Sequence, residues 1–207
     1  MNKIKTVADK SEFKFKEKGS LFIGQVFPVG TIEEAETILS DVRKKFYDAS
    51  HNCYAYKLIG DKSVKYSDDG EPTGTAGIRI LNAINHFELF DVLIISTRYF
   101  GGIKLGVGPL GKAYYNSAVG AVENARIIDK EKYTKVSIVF EYNFISDVHH
   151  YINQYKVKEI NNLFDTTPAI ECLIKDEFVK KLTDDLTFAS NGRIDIKILE
   201  NDIFLPV

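Results

Sequence analysis

The sequence predicts an α/β (α+β) protein of two domains, at residues 1–130 and 131–207. In the first part, strand and helix patterns alternate as in a layered α/β domain. The second part has the element order βαββαβ, which is typical of the ferredoxin-like fold. Composition also changes near residue 130. The first 130 residues contain 13 of the 14 glycines, with 18 basic and 16 acidic residues, whereas the remainder has 9 basic and 13 acidic residues.

The first domain contains clear helix signals between apolar strands. Thr31 and Glu34 form a capping box, and apolar residues recur with helical spacing as far as Phe46. Pro109 suits the first turn of a later helix. The predicted strands are 22–29, 52–59 and 92–97, and the predicted helices are 32–46, 75–87 and 109–124.

The second domain begins with a long apolar strand pattern. Ser146 and Asp147 are residue types that start helices. The predicted strands are 133–142, 157–163, 169–174 and 193–199, and the predicted helices are 146–155 and 176–188.

Composition is that of an ordinary globular protein, with 27% charged residues and a net charge of −2 over 207 residues. The N-terminal stretch lacks the apolar run of a signal peptide, and no segment approaches about 18 apolar residues. We therefore expect a cytoplasmic protein with no membrane partner. Cys53 and Cys172 fall in different predicted domains, so we expect both to be reduced, buried apolar residues.

Two segments concentrate residues with special chemistry. The first combines HNCYAY at 51–56 with SDDGEPTGTAG at 67–77, and the second is TRYFGGIKLGVGPLGKAY at 97–114. In these motifs, and in layout over nearly the whole chain, the sequence closely resembles the Impact/YigZ family. The resemblance implies a first domain folded like the second domain of ribosomal protein S-five. It also implies a ferredoxin-like second domain similar to the last domain of elongation factor G, and a link to translation.

The glycine-rich segment predicts an anion-binding surface. Its glycines let backbone N–H groups approach a ligand closely, and the N-terminus of the following helix adds positive potential. An alternative is that the glycines only form a tight strand-to-helix connection. Arg98 suits bidentate phosphate binding, but an ion pair with Asp68, Asp69 or Glu71 fits its position equally well. The residues predicted to bind an anion or nucleic acid are Arg98, Tyr99, Gly101, Gly102, Lys104, Gly106, Gly108 and Lys112.

The same segment nearly matches the P-loop pattern between Gly106 and Lys112. Ala113 replaces the hydroxyl residue that holds Mg²⁺ in a P-loop, and Pro109 has no N–H to donate. The sequence therefore argues against Walker-type nucleotide hydrolysis.

A second group of polar residues is predicted to line the same cleft. Neighbouring carboxylates can bind a cation or act as acid and base, but Asp-Gly and Glu-Pro also form turns, and we predict no metal and no cofactor. A histidine and a cysteine two residues apart on a strand face the same side, which allows a Cys–His pair. A core cysteine beside a hydrogen-bonded histidine fits that spacing too. The group comprises His51, Asp68, Asp69, Glu71, Thr73 and Thr75.

Three functions fit these features. The leading hypothesis is a non-catalytic protein that contacts RNA, the ribosome or a translation-factor partner through the anion-binding surface, with aromatic residues available for base stacking. The second is an enzyme acting on a phosphorylated small molecule, in which Arg98 and Lys104 bind phosphate and Asp69 or Glu71 is the base. The third is a protein-interaction scaffold that uses the acidic second domain. The sequence does not predict an oligomeric state.

Overall fold

The computed structural model describes residues 1–60, 62–163 and 167–207. Within these ranges the architecture is mixed α+β, with two antiparallel sheets and five α-helices, which confirms the predicted fold class. The chain divides into two compact units, Ile4–Asp129 and Met1–Lys3 together with Lys130–Val207. That residues 1–130 and 131–207 fold as separate domains stays a prediction. None of the described helices is long and apolar enough to cross a membrane.

The first unit is built around a five-stranded sheet. Its strand order is β2-β3-β6-β4-β5, and neighbouring strands run antiparallel. From the N-terminus the elements are β1 (Lys3–Val7), β2 (Ser11–Glu17), β3 (Ser20–Pro28), α1 (Ile32–Lys45), β4 (His51–Lys57), β5 (Val64–Ser67), α2 (Gly77–His86), β6 (Val92–Tyr99) and α3 (Val107–Glu123).

Helices cover both faces of this sheet. On one face, α2 and α3 form a core that includes Phe22, Ile94 and Tyr114. On the other face, α1 packs against a second core that includes Tyr54 and Ile95. Successive residues of a strand point to opposite faces, so the continuous apolar run of β6 supplies both cores.

The second unit has the predicted βαββαβ order. Its strands pair in the order β10-β7-β9-β8. Helices α4 and α5 pack on the sheet through residues such as Val148 and Leu186, in a core separate from those of the first unit. The elements are β7 (Ile127–Val139), α4 (Ile145–Gln154), β8 (Lys158–Leu163), β9 (Ala169–Lys175), α5 (Val179–Ser190) and β10 (Asp195–Pro206).

Several elements differ from the sequence prediction. Strands β1, β2 and β5 were not predicted, and all or part of each is exposed, which weakens the alternation of apolar and polar residues. Helix α3 begins at Val107, two residues before the predicted start. Strand β7 begins at Ile127, six residues before the predicted start at residue 133.

Candidate functional site

Asp68 organises the loop between β5 and α2. Its Oδ1 accepts hydrogen bonds from the backbone N–H groups of Ala76 (2.9 Å) and Gly77 (2.8 Å), and its Oδ2 accepts one from Gly74 (2.8 Å). Backbone donors at the start of a helix have no intrahelical partner, and a negative charge is favourable there. Asp68 therefore caps α2, and both of its oxygens are engaged.

Asp69 fastens the same loop to β4 and α1. Its Oδ2 accepts a hydrogen bond from the N–H of Asn52 (2.7 Å), and its Oδ1 accepts one from Nη2 of Arg43 (2.9 Å). Asp69 has a φ of 45° and is followed by Gly70 with a φ of 87°, which is the left-handed region that turns use. The carboxylate of Asp68 thus binds N–H groups of its own loop and of the start of α2, whereas the carboxylate of Asp69 links the turn to β4 and α1.

Glu71 and Arg98 form a buried ion pair. Glu71 is 8% exposed and Arg98 is 5% exposed, and Nη1 of Arg98 lies 2.7 Å from Oε1 of Glu71. The same Oε1 accepts a hydrogen bond from the Tyr114 hydroxyl (2.7 Å), and Nη2 of Arg98 donates to Oγ of Ser20 (3.3 Å). Burial, together with Cys53 and Glu71, raises the pKa of Tyr114, so its hydroxyl stays protonated as a donor. Of the two interpretations of Arg98, the structure shows the ion pair.

His51 and Cys53 bind separate backbone carbonyls of the loop between β5 and α2, residues 68–76, which we call the acidic loop. Nδ1 of His51 lies 2.8 Å from the carbonyl oxygen of Asp69, so Nδ1 carries the proton, and Nε2 lies 3.8 Å from Oε1 of Glu71. Sγ of Cys53 donates to the carbonyl oxygen of Asp68 (3.0 Å). Burial raises the pKa of the Cys53 thiol, which opposes thiolate formation. This geometry is that of a core cysteine and a hydrogen-bonded histidine rather than a catalytic pair.

Most glycines of the loop after β6 lie where close packing or a positive φ requires a residue without a side chain. A Cβ atom at Gly101 would lie 2.0 Å from the carbonyl carbon of Gly19, so the close approach of two backbones requires glycine there. Gly102 and Gly106 have φ values of 85° and 86°, where residues with a side chain are strained. A Cβ atom at Gly108 would meet nothing within 4 Å, and this glycine is exposed.

A cavity of about 340 Å³ opens beside this loop, and we call it the loop cavity. Phe100 is 48% exposed at its edge, and the guanidinium carbon of Arg98 lies 5.4 Å from the centre of the Phe100 ring. Lys104 is exposed and has no ion-pair or hydrogen-bond partner among the described residues. The two segments selected from the sequence meet here. The lining residues are Glu71, Pro72, Arg98, Phe100, Lys104, Leu105, Gly106, Val107 and Leu110.

The remaining predicted site residues lie outside the loop cavity. The Tyr99 hydroxyl donates to Oδ1 of Asp48 (2.8 Å), and this hydrogen bond raises the pKa of Tyr99. Thr75 is buried and donates to the carbonyl oxygen of Pro72 (2.6 Å), whereas Thr73 is exposed. Among the described residues, no group of His, Cys, Asp and Glu side chains is arranged to hold a metal ion.

Gly108 and Lys112 line a different cavity, of about 440 Å³, between α2 and α3. We call it the α2–α3 cavity. Its lining residues are Arg79, Asn82, Gly108, Gly111, Lys112 and Tyr115. Of the predicted anion-binding residues, Arg98, Lys104 and Gly106 line the loop cavity, and Gly108 and Lys112 line the α2–α3 cavity. Tyr99, Gly101 and Gly102 line neither of these two cavities.

Sequence reasoning missed Ser20 and Tyr114 as parts of the site. Oγ of Ser20 accepts hydrogen bonds from Arg98 and from the N–H of Gly101 (3.2 Å), so it joins the ion pair to the loop. Tyr114 lies within the selected 97–114 segment, and its position four residues after Leu110 places both on one face of α3. That shared helix face was the sequence feature that could have identified Tyr114. No comparable sequence feature identified Ser20.

The family model for the Impact N-terminal domain matches residues 18–122, a range that includes both cavities and the acidic loop. The chain belongs to the Impact family. IMPACT family member YvyE of Bacillus subtilis (strain 168) is 31% identical over 196 residues, which are 93% of this chain and 89% of the relative. Protein IMPACT homolog of Dictyostelium discoideum is 37% identical over 95 residues, which are 44% of this chain and 27% of the relative.

A solved structure is similar over almost the whole chain. This crystal structure of a protein described as hypothetical has a TM-score of 0.70 at 26% sequence identity, and the match covers 97% of this chain and 98% of that chain. The family model and the relatives confirm membership of the Impact family, which was predicted from the two motif-rich segments. The structural similarity extends beyond these segments.

Proposed function

We propose that the protein is a cytoplasmic RNA-binding protein of the translation apparatus, and that it contacts single-stranded RNA at the loop cavity. One observation carries the proposal: an exposed aromatic ring and an exposed lysine, with no ion-pair partner among the described residues, share one cavity at the N-terminus of a long helix. The link to translation comes from the family resemblance. Impact proteins of eukaryotes are among the relatives of the chain.

The charged side of the loop cavity suits a phosphate group. Lys104 is exposed and, within the described part of the chain, has no carboxylate partner that would neutralise its ammonium group. Helix α3 starts after Gly106, whose lack of a side chain leaves the first N–H groups of the helix without a side-chain cap. Such N–H groups and a nearby lysine attract phosphate oxygens.

The apolar side of the loop cavity suits a nucleobase. Pro72, Leu105, Val107 and Leu110 line it, and the half-exposed ring of Phe100 offers a stacking surface. A volume of about 340 Å³ lies at the small end of the range of ligand cavities, about 300–1,000 Å³. The cavity is therefore sized for one unstacked base. Stacking of a base on an aromatic side chain contributes about 1–3 kcal/mol.

An enzyme acting on a phosphorylated small molecule fits the geometry less well. Both carboxylate oxygens of Asp69 accept hydrogen bonds, and Oε1 of Glu71 is bound by Arg98 and Tyr114. A general base needs a carboxylate that can reach and accept a substrate proton. The geometry therefore supports binding rather than catalysis.

Fluorescence anisotropy with a labelled 12-nucleotide uridine RNA tests the proposal. Phe100→Ala should weaken binding about 5- to 150-fold, which is the stacking energy of about 1–3 kcal/mol converted to affinity. Lys104→Ala should reduce the magnitude of the salt slope by about 0.7, because one contact with a single-stranded phosphate is lost.

Two variants serve as matched controls. Tyr66→Ala removes another aromatic side chain that is 48% exposed, on the edge strand β5. Lys44→Ala removes an exposed lysine of α1, which packs on the opposite face of the sheet. Both controls should bind RNA like the unmodified protein. Equal affinity of the Phe100→Ala variant and the unmodified protein would exclude the loop cavity as the RNA site.

A ribosome pelleting assay tests the link to translation. The unmodified protein should sediment with ribosomes at 50 mM salt, and the bound fraction should fall at 200 mM salt because phosphate contacts are salt-dependent. Lys104→Ala should lower the bound fraction at 50 mM salt, whereas Lys44→Ala should not. A protein that binds the RNA oligonucleotide but never sediments with ribosomes would contradict the translation link alone.

A further inference from the structure

We propose that the α2–α3 cavity binds a backbone phosphate of the same RNA strand whose base enters the loop cavity. This inference rests on the proposed function and deepens it. It assigns Arg79 and Lys112 as a second phosphate contact and gives the strand a path across the first turn of α3.

The electrostatics of the α2–α3 cavity favour an anion. Arg79 and Lys112 are both exposed, and neither forms an ion pair within the described ranges 1–60, 62–163 and 167–207. The other lining residues are Asn82, Tyr115 and two glycines, so no described lining residue carries a negative charge. Two uncompensated cations on one concave surface repel each other, and an anion between them removes that repulsion.

Gly111 brings the arginine close to α3. A Cβ atom at Gly111 would lie 3.2 Å from Nε of Arg79, so the missing side chain leaves room for the arginine to lie against the helix. Asn82 follows Arg79 by three residues on α2 and therefore shares its face. The guanidinium and amide groups provide N–H donors that match phosphate oxygens.

The two cavities lie on either side of the same helical turn. Val107 lines the loop cavity and Gly108 lines the α2–α3 cavity, and successive helical residues point about 100° apart. A helix with its side chains is about 10–12 Å wide, so two sites on adjacent sides of one turn are separated by less than about that width. Phosphates along one strand of a duplex are about 3.4 Å apart, and an unstacked strand is more extended. About two to four nucleotides would span both sites.

RNAs of different length distinguish binding at the loop cavity from binding at the α2–α3 cavity. Anisotropy is measured with labelled uridine RNAs of 2 and 12 nucleotides, because the shorter one has a single internucleotide phosphate and cannot place a phosphate at each cavity. The Arg79→Ala/Lys112→Ala variant should bind the 12-mer more weakly, with the magnitude of its salt slope reduced by about 0.7, equivalent to one lost phosphate contact. Its affinity for the 2-mer should be unchanged. Lys104→Ala should weaken binding of both RNAs.

A matched control removes the same charge elsewhere. The Lys44→Ala/Lys45→Ala variant loses two exposed cations from the last turn of α1, on the other face of the sheet. It should bind both RNAs like the unmodified protein. Circular dichroism spectra of all variants should overlay, because every substituted side chain is exposed.

Each other outcome overturns a defined part of the scheme. An unchanged affinity and salt slope of the Arg79→Ala/Lys112→Ala variant for the 12-mer would exclude the α2–α3 site and leave the loop cavity intact. Equal weakening of 2-mer and 12-mer binding would indicate a general charge effect and also exclude a separate site. If Phe100→Ala and Lys104→Ala bind normally while the double variant fails, the proposed function at the loop cavity is wrong. Absence of RNA binding by the unmodified protein would overturn both proposals.

Discussion

Replacing Glu71 by Gln tests whether the charge of Arg98 is neutralised by Glu71 in a buried ion pair. The side chains of Arg98 and Glu71 are only 6% and 4% exposed, so water cannot compensate a charge left there alone. The amide oxygen of Gln can still accept hydrogen bonds from Arg98 and Tyr114. The substitution Glu71→Gln therefore removes the negative charge with almost no change in shape.

The expected loss is large for a single substitution. Removing one partner of a buried ion pair destabilises a protein by about 3–5 kcal/mol, because it leaves an uncompensated buried charge. We expect the lower end, about 3 kcal/mol, because Oγ of Ser20 and the new amide oxygen still accept hydrogen bonds from the guanidinium. Domains have about 5–15 kcal/mol of stability, so the variant should remain folded at 25 °C.

Urea unfolding followed by circular dichroism measures the effect, with m-values compared to detect changes in compactness. The double variant Glu71→Gln/Arg98→Met removes the stranded cation, so it should be less destabilised than the sum of the two single variants, with a coupling energy of about 0.5–3 kcal/mol. A loss below about 1 kcal/mol for Glu71→Gln would refute the reasoning. Arg98 would then be free to bind a phosphate directly.

Three further predictions concern buried thiols and close-packed glycines. Cys53 and Cys172 should not react with a thiol reagent at pH 8 until the protein is unfolded. Burial raises the pKa of both thiols, that of Cys172 to about 11, and only the thiolate is reactive. Reaction of a thiol in the folded protein at the rate of a free cysteine would contradict this prediction. The folded state holds the Cys172 proton more tightly than the unfolded state, so this contribution to the free energy of unfolding is complete below pH 9 and is lost as the pH rises through the folded pKa of about 11. Urea titrations at pH 8 and pH 10.5 should show this loss, and the Cys172→Ala variant should lose less. Gly101→Ala should destabilise the protein by about 1–3 kcal/mol, because its Cβ would overlap the backbone of Gly19, whereas Gly108→Ala, in open space on α3, should be neutral or stabilising by up to about 1 kcal/mol. Equal thermal unfolding midpoints for the two alanine variants would show that the close approach is not needed.

The sequence was most informative where an element is long and either buried or capped. Strand β6 is apolar on both faces, and the predicted capping box is present, because the side chain of Thr31 accepts a hydrogen bond from the N–H of Glu34. Strand β2 was missed because it is a partly exposed edge strand. Its Phe13 ring packs where a Cβ at Gly120 would be only 2.3 Å away, a contact across more than a hundred residues that local patterns cannot reveal.

The candidate site could be located from the sequence, but the role of each residue in it could not be predicted. The density of turn residues, charges and glycines identified both segments, and the loop cavity lies where they meet. Three nearby carboxylates were available to Arg98, and the choice among them depends on tertiary structure. Strand pairing places His51 opposite Arg98. Backbone N–H groups donate to the carboxylates of Asp68 and Asp69, which leaves Glu71 as the carboxylate that reaches the guanidinium.

The acidic loop lies at the edge of the surface that is proposed to bind phosphates. Substitutions at residues outside this surface can therefore change the charge that the loop presents there. Asp68 is satisfied by N–H groups at the start of α2, Asp69 by Arg43, and Glu71 by Arg98, so each negative charge has an internal partner. An approaching polyanion would therefore meet little repulsion from these three residues. Removal of Arg43, which is a residue of α1 and does not line the loop cavity, would free Asp69 and turn a neutral edge into a repulsive one. Under the proposed function, the association rate with RNA depends partly on residues that the RNA does not contact.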